Sequence, residues 1–163
     1  MARRAGSRDT DFSRASQLLE KGRLQDAFRI FLEAAKAGDS SAQVNVGYLY
    51  DTGQGVSRSR AQAMAWYRKA ARQGEAAAAN NIGTIYRDEG RLGLAMRWFG
   101  KAAAMGDDDA LLEMARLYAG PLEEPAKARR LLSRVASSKR ATIDSREQAE
   151  QLLRTLEQRQ RMG

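Results

Sequence analysis

A short alanine–glycine signature returns three times along the 163-residue chain and limits the folds open to it. Ala34-Ala35-Lys36-Ala37-Gly38 is followed by Ala70-Ala71-Arg72-Gln73-Gly74 and then by Ala102-Ala103-Ala104-Met105-Gly106. The spacings are 36 and 32 residues, and Val135-Ala136-Ser137-Ser138 is a degenerate fourth copy. Periods of this size signal stacked supersecondary units that cannot bury their apolar faces alone. Ahead of each alanine pair stand a small residue and a bulky pair: Ala27 with Ile30-Phe31, Ala63 with Trp66-Tyr67, Ala95 with Trp98-Phe99, and Ala128 with Leu131-Leu132. Steps of three and four put these residues on one helical face, where bulky knobs sit beside alanine seats.

A second pattern marks an earlier helix in each unit. Gly47 and Tyr50 match Gly83 and Tyr86, then Ala115 and Tyr118, with Ala15 and Leu18 as a weaker first copy. Glycine inside a helix costs about 1 kcal/mol against alanine. Its return at an equivalent position implies that close helix–helix approach offsets that cost. The tyrosines, three residues later, are expected to fill the space between units. Gly38, Gly74 and Gly106 suit the left-handed position after a helix, and Asp39 and Asp107 suit N-caps of the next one. Lys21-Gly22-Arg23 and Glu89-Gly90-Arg91 make tight turns, Asp51–Arg60 is a longer connection, and Gly120-Pro121 is a stop.

Two motifs inside this pattern invite other readings. Asp51-Thr52-Gly53 has the form of an aspartic-protease signature, but it sits on a helical pattern and lacks the facing second copy that shares a proton. Gly53-Gln54-Gly55 lacks the third glycine and the preceding strand of a dinucleotide loop. Both are read as a chain reversal between two helices. Asp107-Asp108-Asp109 lacks the spaced ligands of a calcium loop and reads as a cap and helix-dipole partner.

The run Ala42-x3-Val46-Gly47-x2-Tyr50-x2-Gly53-x-Gly55-Val56, followed by Ala63-x2-Trp66-Tyr67-x-Lys69-Ala70-Ala71-x2-Gly74, closely resembles the Sel-one-like repeat (SLR), a branch of the tetratricopeptide repeat (TPR) superfamily. Residues 75–106 follow the same pattern, while 9–38 and 107–138 look more like ordinary TPR units. Glu89-Gly90 departs from the pattern by lacking the longer loop, and Leu131-Leu132 by replacing the aromatic. The resemblance implies an all-α, right-handed superhelical solenoid of about four helix pairs, with units at 9–38, 39–74, 75–106 and 107–138. Residues 142–161 are expected to form a C-terminal capping helix, with Ser145 and Gln148 at capping-box spacing and Ala149, Leu152, Leu153 and Leu156 as its apolar stripe. A partner-binding role for that helix stays open. Residues 1–8 are expected to be a disordered basic tail.

With no cysteine and no histidine, the chain has no disulfide, thiolate, Ser-His-Asp or Cys/His metal chemistry. No catalytic residue, metal or cofactor is expected, and the chain reads as a non-enzyme. Arg3-Arg4 precedes Asp9 and Asp11 rather than an apolar segment, and no apolar run is long enough to span a bilayer, so a cytoplasmic location without membrane association is expected. The net charge of +8 favours acidic partners. Arg129, Arg130, Arg134, Arg140, Arg146 and Arg154 suggest nucleic acid, but glutamates are interspersed, and Trp66, Tyr67, Trp98 and Phe99 read as core rather than as a stacking platform. Nucleic acid is therefore disfavoured.

The resemblance also implies that first helices line a concave groove. Residues offset from the glycine–tyrosine face would point into it: Phe12, Ser16 and Leu19 in the first unit, Val44, Tyr48 and Asp51 in the second, Asn80, Thr84 and Arg87 in the third, and Leu112, Arg116 and Ala119 in the fourth. Core packing asks for none of these groups, whereas Tyr48 offers an aromatic contact and Asn80 and Arg87 offer hydrogen bonds to a peptide. The expected function is a non-catalytic adaptor that binds a protein or peptide of acidic character, acting as a monomer or weak dimer. The resemblance also admits an immunity protein against a co-encoded toxin, and the charge admits a nucleic-acid-associated protein.

Overall fold

The computed structural model describes residues 5–162, with side chains from 11 to 161. Among them run nine helices: α1 Ala5–Glu20, α2 Leu24–Lys36, α3 Ser40–Thr52, α4 Arg60–Arg72, α5 Ala76–Asp88, α6 Leu92–Ala104, α7 Asp109–Ala119, α8 Pro125–Ala136 and α9 Ile143–Met162. The fold is all-α, with helices in sequential pairs. Of the expected disordered tail, residues 1–4 lie outside the described residues, and 5–8 belong to α1. No proline interrupts that stretch, so the helix runs further back than expected.

The chain divides into two compact units, one ending at Ala78 and one starting at Ala79. In the first, Ala15, Ala27, Phe31, Ala35, Ala42, Val46 and Leu49 form a continuous buried cluster. Phe31 is the knob, 1% exposed, and Phe12 meets its ring edge-on at 5.4 Å between centroids. Tyr50 meets Phe28 of α2 in the same geometry at 5.3 Å. Between α3 and α4 the contact is set by Gly47. A Cβ there would stand 2.6 Å from two ring carbons of Tyr67, which is itself buried at 1%.

The second unit repeats the device. A Cβ on Gly83 would stand 2.6 Å from two ring carbons of Phe99. The equivalent positions further on, Ala115 and Leu132, are both fully buried in the cluster that joins α7, α8 and α9. A flat ring laid against the facing helix leaves no room for a methyl group, whereas the branched leucine accompanies alanine. Ala149 and Leu156 carry α9 into this cluster, with Leu152 and Leu153 packed at its edge.

Of each bulky pair only the second member is a core knob. Trp66 and Trp98, expected in the core, are half-buried, and each indole carries a lysine 4.2 Å from its ring centroid, Lys69 and Lys101 respectively. The three-residue step places the cation on the same helical face as the ring.

Helix ends follow the sequence closely. Residues 39, 75 and 107 donate back to the carbonyls of Ala34, Ala70 and Ala102 at 3.1–3.2 Å, closing six-residue caps around the three repeated glycines. Asp39 Oδ1 accepts from Ala42 N at 2.8 Å, and Asp107 Oδ1 accepts from Asp109 N at 3.0 Å and Ala110 N at 3.3 Å. In the longer connection Gly53 ends α3 with φ 75°. Gly55, with φ 72°, presses on the start of α2, where a Cβ would stand 2.3 Å from the Leu24 carbonyl oxygen. Gly53-Gln54-Gly55 is thus a spacer whose second glycine admits a neighbouring backbone.

The start of α9 corrects the sequence reading. Thr142, not Ser145, is the cap: its Oγ1 accepts from Ser145 N at 3.1 Å. Ser145 is buried, and Gln148 donates to Asp144 at 2.6 Å instead of reaching back to a cap.

Candidate partner-binding surface

In the first unit the expected residues divide by burial. Tyr48 is 47% exposed and Phe12 is 37% exposed despite its edge contact with Phe31. Val44 is half-buried, and Leu19 packs against the core. Ser16 spends its hydroxyl on the Phe12 carbonyl at 3.1 Å, within its own helix. Asp51 lies 3.8 Å from Arg60 Nε, Arg58 Nε donates to the Asp51 carbonyl at 2.7 Å, and Thr52 Oγ1 donates to the Tyr48 carbonyl at 2.9 Å. The Asp-Thr-Gly run is therefore the end of a helix. Burial pushes the Tyr67 phenol well above its ordinary pKa, which keeps it neutral and structural.

A hollow of about 300 Å³ in this unit is lined by Gly22, Arg23, Leu24, Gln25, Asp26 and Gly55. Its charged groups satisfy one another: Arg23 bonds Asp26 at 2.6 Å and Arg29 bonds it from the other side. The two arginines, Arg29 first, hold the Asp26 carboxyl below its ordinary pKa.

In the second unit most of the expected groove residues are bound within the protein. Leu112 corrects the expectation outright. It is 3% exposed within the α7–α8–α9 cluster, because the helix turns its 111–112 pair inward together. Asn80 Nδ2 donates to Asp107 Oδ2 at 3.0 Å, so it braces the residue that caps α7. Burial holds the Asp107 carboxyl above its ordinary value of 3.8, against the opposing hydrogen bonds from Ala110, Asn80 and Asp109. Thr84 and Ala119 are half-buried.

Arg87 and Arg116 belong to one chain of polar groups across three helices. Arg87 bonds Asp88 at 3.0 Å and also reaches Glu113 of α7. Glu113, 16% exposed, accepts from Arg116 at 2.5 Å, and Arg116 continues to Gln148 of α9. Although burial works against the charge, Asp88 and Glu113 hold the Arg87 guanidinium above its ordinary pKa. Glu113 was not singled out in the sequence, and Gln148 was read only as the capping-box partner of Ser145. The detectable signal was Glu113 three residues before Arg116 on a helix, the spacing of an intrahelical pair.

The aspartate run likewise separates into three roles. Asp107 caps α7. Asp108, 3% exposed, accepts from Ser138 Oγ at 2.6 Å and lies 3.3 Å from Arg140 and 3.8 Å from Arg134. Asp109 accepts from Thr142 N at 2.9 Å, tying α7 to the start of α9. Among the described residues no cluster of acidic side chains is suited to hold a metal ion, and no helix is long and apolar enough to cross a membrane.

Residues 40–75 and 76–107 each match the family model of the Sel1 repeat. These two stretches are Sel1 repeats, which belong to the TPR-like superfamily. It is similar to a Sel1 repeat protein from Oxalobacter formigenes, at 29% identity and TM-score 0.57, over 69% of this chain and 49% of that one. It shares its fold with c5321, a protective antigen of uropathogenic Escherichia coli displaying an SLR fold, at 21% identity and TM-score 0.64, over 95% of this chain and 38% of that one. The chitin synthase regulator SKT5 of Saccharomyces cerevisiae is 40% identical over 57 residues, which are 35% of this chain and 8% of that protein. The chain thus spans less than half the length of each of these relatives. Sel1-like repeat proteins are generally non-catalytic scaffolds that mediate protein interactions.

Proposed function

We propose that this Sel1-repeat-containing protein is a non-catalytic adaptor that binds a protein or peptide partner through the exposed side of its first helices. One observation carries the reading. Among the described residues the exposed large apolar side chains are Phe12, Tyr48, Met105 and Ile143, and Phe12 and Tyr48 lie on α1 and α3, the first helices of the compact unit that ends at Ala78. Aromatic side chains left half in water make strong contact anchors, because they bring area at little entropic cost. The residues bound into the polar chain of the second unit, Arg87 and Arg116, serve here as its frame. A regulator among the relatives is consistent with an adaptor.

The test is affinity capture with wild type, Tyr48→Ala and Arg97→Ala, the last being an exposed position on α6. Tyr48→Ala should lower retention of the specific partner by about tenfold or more, the range of an interface anchor. Arg97→Ala should leave it unchanged. Equal retention by all three proteins sinks the assignment, and retention that collapses with salt and needs nucleic acid turns the reading to that partner.

A further inference from the structure

The basic excess is sorted by helix. α4, α6 and α8 hold four, two and four arginines and lysines and no acidic residue. Their preceding partners differ: α3 has one acidic and no basic residue, α5 has one of each, and α7 has two acidic and one basic. In α8 the exposed cations Lys127, Arg130 and Arg134 follow at steps of three and four, which is one helical face. The turn after it adds exposed Arg140.

The carboxylates facing this stripe are Glu124, 2.5 Å from Lys127, and Asp108. Asp108 draws two guanidiniums to one buried carboxylate, while the Arg134 and Arg140 side chains stay 56% and 63% exposed. Two cations on one anion leave a surplus positive charge. Each guanidinium has about five N–H donors, more than Asp108 can occupy. Arg140 is hydrogen-bonded to Asp108 at 3.3 Å before any ligand arrives, Arg134 stands 3.8 Å from the same carboxylate, and a forked guanidinium suits a second carboxylate.

We propose that the α8 face, from Arg130 through Arg134 to Arg140, docks an acidic segment of a partner protein. A membrane is a poorer fit, because none of the exposed large apolar side chains lies on α8 to enter a bilayer. Single-stranded nucleic acid is a poorer fit, because α8 has no aromatic residue for stacking, and Lys127 covers the adjacent Tyr118 ring at 5.3 Å. The proposal does not rest on the first-helix reading.

The probe is a fluorescein-labelled deca-glutamate peptide, followed by anisotropy at neutral pH and low salt. Wild type should bind it. Arg130→Gln/Arg134→Gln/Arg140→Gln should bind about tenfold more weakly, while Arg154→Gln/Arg159→Gln/Arg161→Gln, matched in charge, should stay within about twofold. No binding, or equal loss in both variants, overturns the proposal. Tighter binding of a short DNA duplex or of phosphatidylserine vesicles under the same conditions also overturns it. If circular dichroism shows that the triple variant has lost helix, Arg130→Glu decides: weaker peptide binding supports the surface and unchanged binding removes it.

Discussion

At Gly47 the structure gives a reason for a residue that lowers helix propensity. The Tyr67 ring occupies the volume a side chain would need, at 2.6 Å from a notional Cβ. Gly47→Ala should therefore destabilise the protein by about 1–3 kcal/mol, the range for overpacking a filled core. Equivalent positions in the last repeat combine Ala115 with Leu132, which suggests a compensating change. Gly47→Ala/Tyr67→Leu should cost less than the sum of its single variants by about 0.5 kcal/mol or more in urea denaturation. Strict additivity would mean that the ring and the glycine are not coupled. Two carboxyls should part company in an NMR titration. Asp107, raised by burial, should titrate above 3.8, and Asp26, lowered by Arg29 and Arg23, below it. The stability signs follow. Asp107 binds its proton more tightly folded than unfolded, so its contribution favours folding at low pH and is lost as pH rises through its folded pKa. The Asp26 contribution is present above 3.8 and is lost as pH falls through its folded pKa. Equal midpoints for the two would contradict these assignments.

At the scale of elements, the connections carry as much information as the helices. Gly55 meets the Leu24 backbone with φ 72°, so Gly55→Ala adds both a left-handed penalty of about 1–2 kcal/mol and a clash with atoms that cannot swing aside. Thermal melting should show a loss at least that large. For α9, Thr142→Ala should cost about 1 kcal/mol as a lost cap, while Ser145→Ala should cost clearly less because it leaves the cap in place. The reverse order would restore Ser145 as the cap. The repeat made the helix starts and stops legible, since glycine, aspartate and paired alanines recur at fixed offsets. Thr142 was missed because a capping box and a plain cap differ by where the chain turns, which three residues of spacing do not encode. Leu112 was missed because helical spacing alone does not say how wide the buried stripe is on a helix gripped by two neighbours.

Across the whole molecule, the sequence made the repeat architecture and the glycine–aromatic packing readable, because both depend on residue size at a constant period. It made the surface less readable. Asn80, Arg87 and Arg116 look unclaimed along the chain, yet their partners Asp107, Glu113 and Gln148 come from the α6–α7 turn, α7 and α9. Polar pairing of that kind depends on which helices meet, and only the fold supplies that. The same fold leaves Tyr48 nearly half exposed on a face where packing does not call for an aromatic ring. The adaptor reading therefore depends on that side chain more than on any other. A photo-crosslinking amino acid placed at position 48, and separately at position 97, tests it in cells. A discrete adduct with one protein partner is expected at 48 and little at 97. Comparable adducts at both positions, or none at 48 with a strong one at 97, would contradict it.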